Sequence, residues 1–230
     1  MGASIEVVLC SGAPTQVLVF GGLTMLGLPA RGPDGNWHAP FVIAMSLADM
    51  ALVLGLIFLF LRAHHERPEA FLFGGRPVGR EFLLGSMLVP AALVVATAVL
   101  AAILALRPEL YNVPRNPFEG LLQRPVDAGL FALVVMLAGG VREEIQRAFI
   151  IRRFERYLGG AIPGLIAFSA VFGLGHLEQG YAAAIATGVL GAGWGLLYWR
   201  RGSVVAPIVS HAGFNLAQLL NYLAAAGGRA

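Results

Sequence analysis

One stretch of this chain dictates its surroundings: Phe82–Leu106 contains no ionisable side chain. A helix needs about 20 predominantly apolar residues to cross the hydrocarbon of a bilayer, and this segment is long enough. Similar runs recur. We expect spans at Ala13–Ala30 (with a start as early as Ile5), Phe41–Leu61, Phe82–Leu106, from Ala128 into Gly139–Glu144, Ile162–His176, Tyr181–Trp199 and Val204–Ala225. Charged residues make up only 13% of the chain and hydrophobic ones 57%, whereas a soluble domain carries about 25% charged residues. The predicted fold is all-α, a polytopic transmembrane helical bundle of about seven spans, with six to eight as the range. It forms one membrane domain, residues 1–230, with the motif-bearing helices at 128–220.

The net charge is +3 and the chain has no Lys. No basic stripe with interleaved aromatics appears, so nucleic acid is not an expected partner; the lipid bilayer is. A single cysteine, Cys10, rules out an internal disulfide. Met1–Glu6 lacks a basic n-region, so the first apolar run reads as a retained span. Arginines gather at 62–80, 147–156 and 200–201, and the helix count puts all three clusters on one side. The loops at 31–38 and 107–127 fall on the other. By the positive-inside rule the N-terminus is then cytoplasmic. The all-Arg basic composition points to a bacterial source and a plasma-membrane location. Trp37, Trp194 and Trp199 read as interfacial anchors. Asp49 is expected to pair inside the bundle, Glu178 to sit in a loop, and His64-His65 to lie in a solvated linker.

A charge in hydrocarbon costs several kcal/mol, so intramembrane polar residues need a reason. His211 and Asn215 share one helix face, as do Phe172 and His176. Glu143 and Glu144 precede Arg147 by four and three residues, and both spacings permit an ion pair. One carboxylate held by Arg147 and one left free would suit catalysis. Gly173, Gly175, Ala212 and Gly213 allow close approach of backbones or leave room for a ligand. Taken singly, each of these residues has an ordinary structural reading as packing glue or a helix anchor. Together they are the parts for activating water. A Glu serves as general base, and His and Asn donate to an oxyanion. Alternatively Glu143, His176 and His211 hold Zn²⁺, whose bound water becomes the nucleophile; the cofactor is therefore zinc or none. Neither a His-Glu-x-x-His string nor a Gly-x-Ser-x-Gly elbow is present.

These three segments, in this order, resemble the CAAX protease and bacteriocin-processing family of intramembrane endopeptidases, which includes the type II CAAX prenyl endopeptidases. The family pattern is Glu-Glu-x-x-x-Arg, then Phe-x-x-x-His, then His-x-x-x-Asn. Phe172…His176 and His211…Asn215 match the second and third elements. The first departs, because Arg147 follows the Glu143-Glu144 pair after two residues rather than three. The resemblance implies an intramembrane metalloprotease-like hydrolase acting on a peptide or protein near the cytoplasmic side. It implies Glu143 as base, with Glu144 next in line, His176 and His211 to position water or metal, and Asn215 as oxyanion donor. Arg147 and Phe172 support them. Two other readings share these residues: a non-catalytic membrane scaffold of the same fold that binds a partner, and a small proton-coupled transporter using Asp49, Glu143 and the histidines. Helical rise raises one difficulty. Counted from Arg152, Glu143 lies about 14 Å deep, whereas His176 lies about 25 Å from Gly159.

Overall fold

The structure, a computed structural model, describes residues 2–113, 117–122 and 125–227. Parts of the 107–127 loop, at 114–116 and 123–124, fall outside the described residues. The architecture is all α. The helices are α1 (Gly2–Leu9), α2 (Ala13–Met25), α3 (Ala39–Ala63), α4 (Pro68–Phe73), α5 (Val78–Leu106), α6 (Pro125–Val134), α7 (Glu143–Tyr157), α8 (Ala161–Leu174), α9 (Tyr181–Arg201) and α10 (Val205–Gly227). A π-helical segment, Val135–Arg142, joins α6 to α7. A short 3-10 turn, Leu177–Gln179, joins α8 to α9. Among the described residues the sole extended pairing is an isolated bridge between Arg31 and Trp37.

Each expected span contains a helix, although the first stops at Met25, but among the described residues fewer than seven helices are long and apolar enough to cross a membrane. Among the described residues three qualify: Ala39–Ala63, Pro68–Leu106 and Tyr181–Arg201. A fourth results if α1 and α2, bent by 43° at their junction, count as one. The shortfall has a cause in the sequence. α8 is only 14 residues long. The line from α6 into α7 fills its second half with charges, and α10 interrupts its apolar run with Ser210, His211, Asn215 and Gln218.

The core forms where α3, α7 and α8 meet. Val53, Ile57 and Leu61 of α3 pack with Phe71 of α4, Ile145 and Phe149 of α7, Phe168 and Phe172 of α8, and Tyr198 of α9. α10 packs along α5 and the π-helical segment, and α8 packs along α9. The small residues on these helices serve close approach. A Cβ on Gly173 would stand 2.7 Å from the Ala184 carbonyl oxygen of α9, and one on Gly213 would meet Val89 of α5 at 2.6 Å.

The arginine clusters do collect at one end of the bundle, where acids bind them. Arg153, fully buried, donates to Glu6 at 2.6 Å and also bonds Glu66. Arg152 and Arg156 reach the same Glu66 at 3.0 and 2.8 Å. Burial pushes the Glu66 carboxyl up, but the Arg153 hydrogen bond and the three guanidinium charges outweigh it and hold Glu66 below the usual carboxylate range. Arg201 pairs with buried Glu81, and Arg76 donates to the Arg201 carbonyl at 3.1 Å. His64 bonds Glu6 at 2.6 Å, so it is not simply solvated. At the opposite end Arg31 pairs with Glu178 at 3.2 Å, Trp37 stacks on Phe118, and Asn112 accepts from the Tyr181 amide.

Candidate active site

The short α8 resolves the difficulty of depth. α7 stays helical to Tyr157, so Glu143 lies about 21 Å from its arginine-side end. His176 lies about 22 Å past the start of α8. The two helices run side by side from the turn at 158–160, which brings both residues to a similar height.

At that height lies a cavity of about 470 Å³ whose lining includes Glu143, His176, His211 and Asn215. The two adjacent glutamates divide there. Glu143 faces the cavity with its side chain 18% exposed. The Glu144 side chain, 1% exposed, turns into the protein, where Arg147 binds it and His211 Nδ1 bonds it at 2.7 Å. Arg147 is wholly buried and caps the rings of Phe172 and Phe168, at 4.5 and 5.3 Å from their centroids. Such a buried cation stands only with its carboxylate and π faces in place.

Both histidines are anchored through Nδ1. His176 Nδ1 lies 2.8 Å from the Phe172 carbonyl oxygen, which can only accept, so this nitrogen carries the proton. His211 Nδ1 likewise faces the Glu144 carboxylate. In each neutral ring Nε2 is then the lone-pair nitrogen, and that of His211 sits 3.8 Å from Glu143 Oε2. Phe172 rests against both imidazoles, edge to face, at centroid distances of 4.9 and 6.0 Å. Asn215 Nδ2 donates to the Val135 carbonyl at 3.2 Å, a contact on the π-helical turn. An amide nitrogen has two hydrogens, so one remains.

The π-helical segment brings Glu143 to α10. A Cβ on Gly140 would stand 2.7 Å from the Cβ of Ala212 and 3.1 Å from its Cα. A Cβ on Gly139 would stand as close to the Asn215 side chain, 2.7 Å from Nδ2. π-helical turns often mark functional sites, and here the turn presses a glutamate-bearing helix onto the His-Asn helix.

Several participants were not foreseen from sequence. Trp194 is not an interfacial anchor. It is buried, stacks on the His211 ring at 3.9 Å and donates to Ser210 Oγ at 3.1 Å. Arg142 is buried beside Glu143, its Nη1 4.0 Å from Glu143 Oε1. Its other amino group, Nη2, bonds Asp49 at 2.5 Å, and Thr15 donates to Asp49 at 2.5 Å. Asp49 thus pairs inside the bundle. Trp199 by contrast is 38% exposed and donates to Glu155.

The zinc alternative finds no ligand set. Among the described residues no three His, Cys, Asp or Glu side chains are grouped to hold a metal ion.

Residues 125–217 match the family model described as type II CAAX prenyl endopeptidase Rce1-like. This part of the chain belongs to the Rce1-like family. No curated protein and no solved structure matches the chain. The Rce1-like region runs from the first residue of α6 into α10, so Glu143, His176, His211 and Asn215 all fall within it, whereas Thr15 and Asp49 lie outside. Together with the apolar helices, the match indicates an integral membrane protein that carries a region of a protease family.

Proposed function

We propose that the chain is an intramembrane endopeptidase that hydrolyses a peptide bond with a water activated by Glu143. One observation carries this reading: of the two adjacent glutamates, only Glu143 lines the cavity shared with His176, His211 and Asn215. Glu143 accepts one hydrogen of a water lying among Glu143, His176 and His211, and the Nε2 lone pair of one of the two histidines accepts the other. The water oxygen bonds to the scissile carbonyl carbon, and the carbonyl oxygen becomes an oxyanion. The free N–H of Asn215 donates to it. The carbon–nitrogen bond then breaks, and the proton on Glu143 passes to the departing nitrogen. The products are a new carboxyl group and an amine.

Glu144 acts through His211. Its carboxylate fixes the ring tautomer and supports any positive charge the ring acquires. The apolar lining, which includes Met45, Phe131, Trp194 and Phe214, suits a hydrophobic peptide segment. α1 itself lies at the arginine-rich end, where Arg153 binds its Glu6, and this fits a cytoplasmic N-terminus.

The test is Glu143→Gln in purified protein, assayed on fluorescence-quenched peptides. Cleavage should fall about 10²–10⁴-fold, the usual contribution of a general base, with an unchanged helical spectrum and melting point. Cleavage retained within a few-fold would discard Glu143 as base.

A further inference from the structure

We infer that Arg142 is a positioning residue for Glu143, held in place by a clamp that the N-terminal helices supply. This rests on the reading of Glu143 as base. Arg142 is the last residue of the π-helical segment and is buried, 7% exposed. Its guanidinium spans two carboxylates: Nη2 bonds Asp49 Oδ2 at 2.5 Å, and Nη1 stands 4.0 Å from Glu143 Oε1. The first contact is a hydrogen-bonded ion pair; the second is a charge contact too long for a hydrogen bond. Asp49 therefore holds the guanidinium, and Glu143 experiences its charge while its oxygens stay open to the cavity.

The clamp reaches further back. Asp49 Oδ1 accepts from Thr15 of α2. The bend between α1 and α2 presses on the same guanidinium: Gly12 has φ +90°, and a Cβ there would stand 2.6 Å from Arg142 Nη2. Beside it Gln146 donates to the Cys10 carbonyl at 2.6 Å. The α1–α2 bend and the middle of α3 thus close around the start of α7. None of these residues belongs to the Rce1-like region except Arg142 and Gln146.

An immobile positive charge 4 Å from a carboxylate favours its ionised form. A general base must be ionised to accept a proton, so Arg142 extends the range of pH over which Glu143 works. Other groups also face Glu143. His211 of α10 and His176 after α8 line its cavity, and Glu144 and Arg147 lie behind it on α7. Arg142 differs from them in being fastened to an element outside the His-Glu-Asn set.

The experiment uses the full-length protein in detergent and two variants. Arg142→Gln combined with Asp49→Asn removes the buried pair together, so neither charge is left alone. Arg142→Lys keeps the charge. Modification of Glu143 by a water-soluble carbodiimide and glycine ethyl ester, followed by mass spectrometry across pH, reads the protonated carboxyl without needing cleavage. The double variant should move the midpoint at Glu143 upward by at least about one pH unit, and Arg142→Lys should restore it. The acid limb of peptide cleavage should move by the same amount, with kcat reduced and KM little changed. An unmoved midpoint in the double variant overturns the proposal, even if the variant has lost thermal stability. A shifted midpoint in a protein that cleaves no peptide keeps the clamp and removes the peptidase reading.

Discussion

Glu143 and Glu144 are chain neighbours that meet opposite environments. A helix rotates about 100° per residue, so one carboxylate points at the cavity and the next at Arg147 and His211. Their substitutions should therefore fail differently. Glu143→Gln should silence chemistry in a folded protein. Glu144→Gln leaves the fully buried Arg147 guanidinium without its carboxylate, and breaking such a pair costs about 3–5 kcal/mol. In a chain of this size that lowers the melting midpoint by roughly 10 °C, measurable by intrinsic fluorescence in detergent. A Glu144→Gln midpoint within a degree or two of wild type would mean that Arg147 has another partner. At this scale the sequence was informative about residue types and less so about partners. Glu143, His176, His211 and Asn215 stood out because a polar group in an apolar run needs a reason. Arg142 sat beside Glu143 in plain view, but its partner Asp49 is 93 positions away. Pairing at that distance leaves no local periodicity to read. Trp194 misled for a similar reason: an indole near a helix end looks like an anchor until its neighbour across the bundle, His211, is known.

Among elements, the π-helical segment does most to assemble the site. Its position could not be read from Val135–Arg142, whose composition is that of an ordinary apolar helix ending in a charge. The seven expected helices were legible from apolar runs, but by length and composition only three or four of the described helices qualify as crossings, because α8 is short and polar residues interrupt α10. The two glycines of the π-helical segment make different predictions. At Gly140 a methyl would meet the Cβ and backbone of Ala212, which cannot yield without moving α10. Overpacking of this kind costs about 1–3 kcal/mol, set against up to about 1 kcal/mol of helix propensity gained. Gly140→Ala should therefore lower stability and activity together. At Gly139 the obstruction is the end of the Asn215 side chain, which can rotate away. Gly139→Ala should leave the melting midpoint near wild type while reducing kcat. The reverse order of stabilities would show that α10 adjusts more readily than Asn215.

For the molecule as a whole, the arginine-rich end and the cavity lie at opposite poles. Lining residues such as Val42, Leu100, Phe118, Gln179 and Tyr222 come from the half of the bundle nearer the 31–38 and 107–122 loops. The positive-inside rule puts the arginines in the cytoplasm, so the cavity then faces away from it. The family resemblance implies cleavage near the cytoplasmic side, and the two expectations point in opposite directions. Gln179→Cys, made with Cys10→Ala, decides between them. In intact cells or spheroplasts a membrane-impermeant maleimide should label this cysteine from outside. Protection until the membrane is opened would reverse the orientation and return the site to the cytoplasmic face.

The ion pairs at the arginine-rich pole join α1 and the α3–α4 linker to α7, and α5 to α9. At the other pole, Arg31 pairs with Glu178 and Asn112 accepts from the Tyr181 amide. A peptide that reached Glu143 would enter from the pole where the cavity lies, while the riveted base keeps the arginine-side ends of α1 and α7 in register.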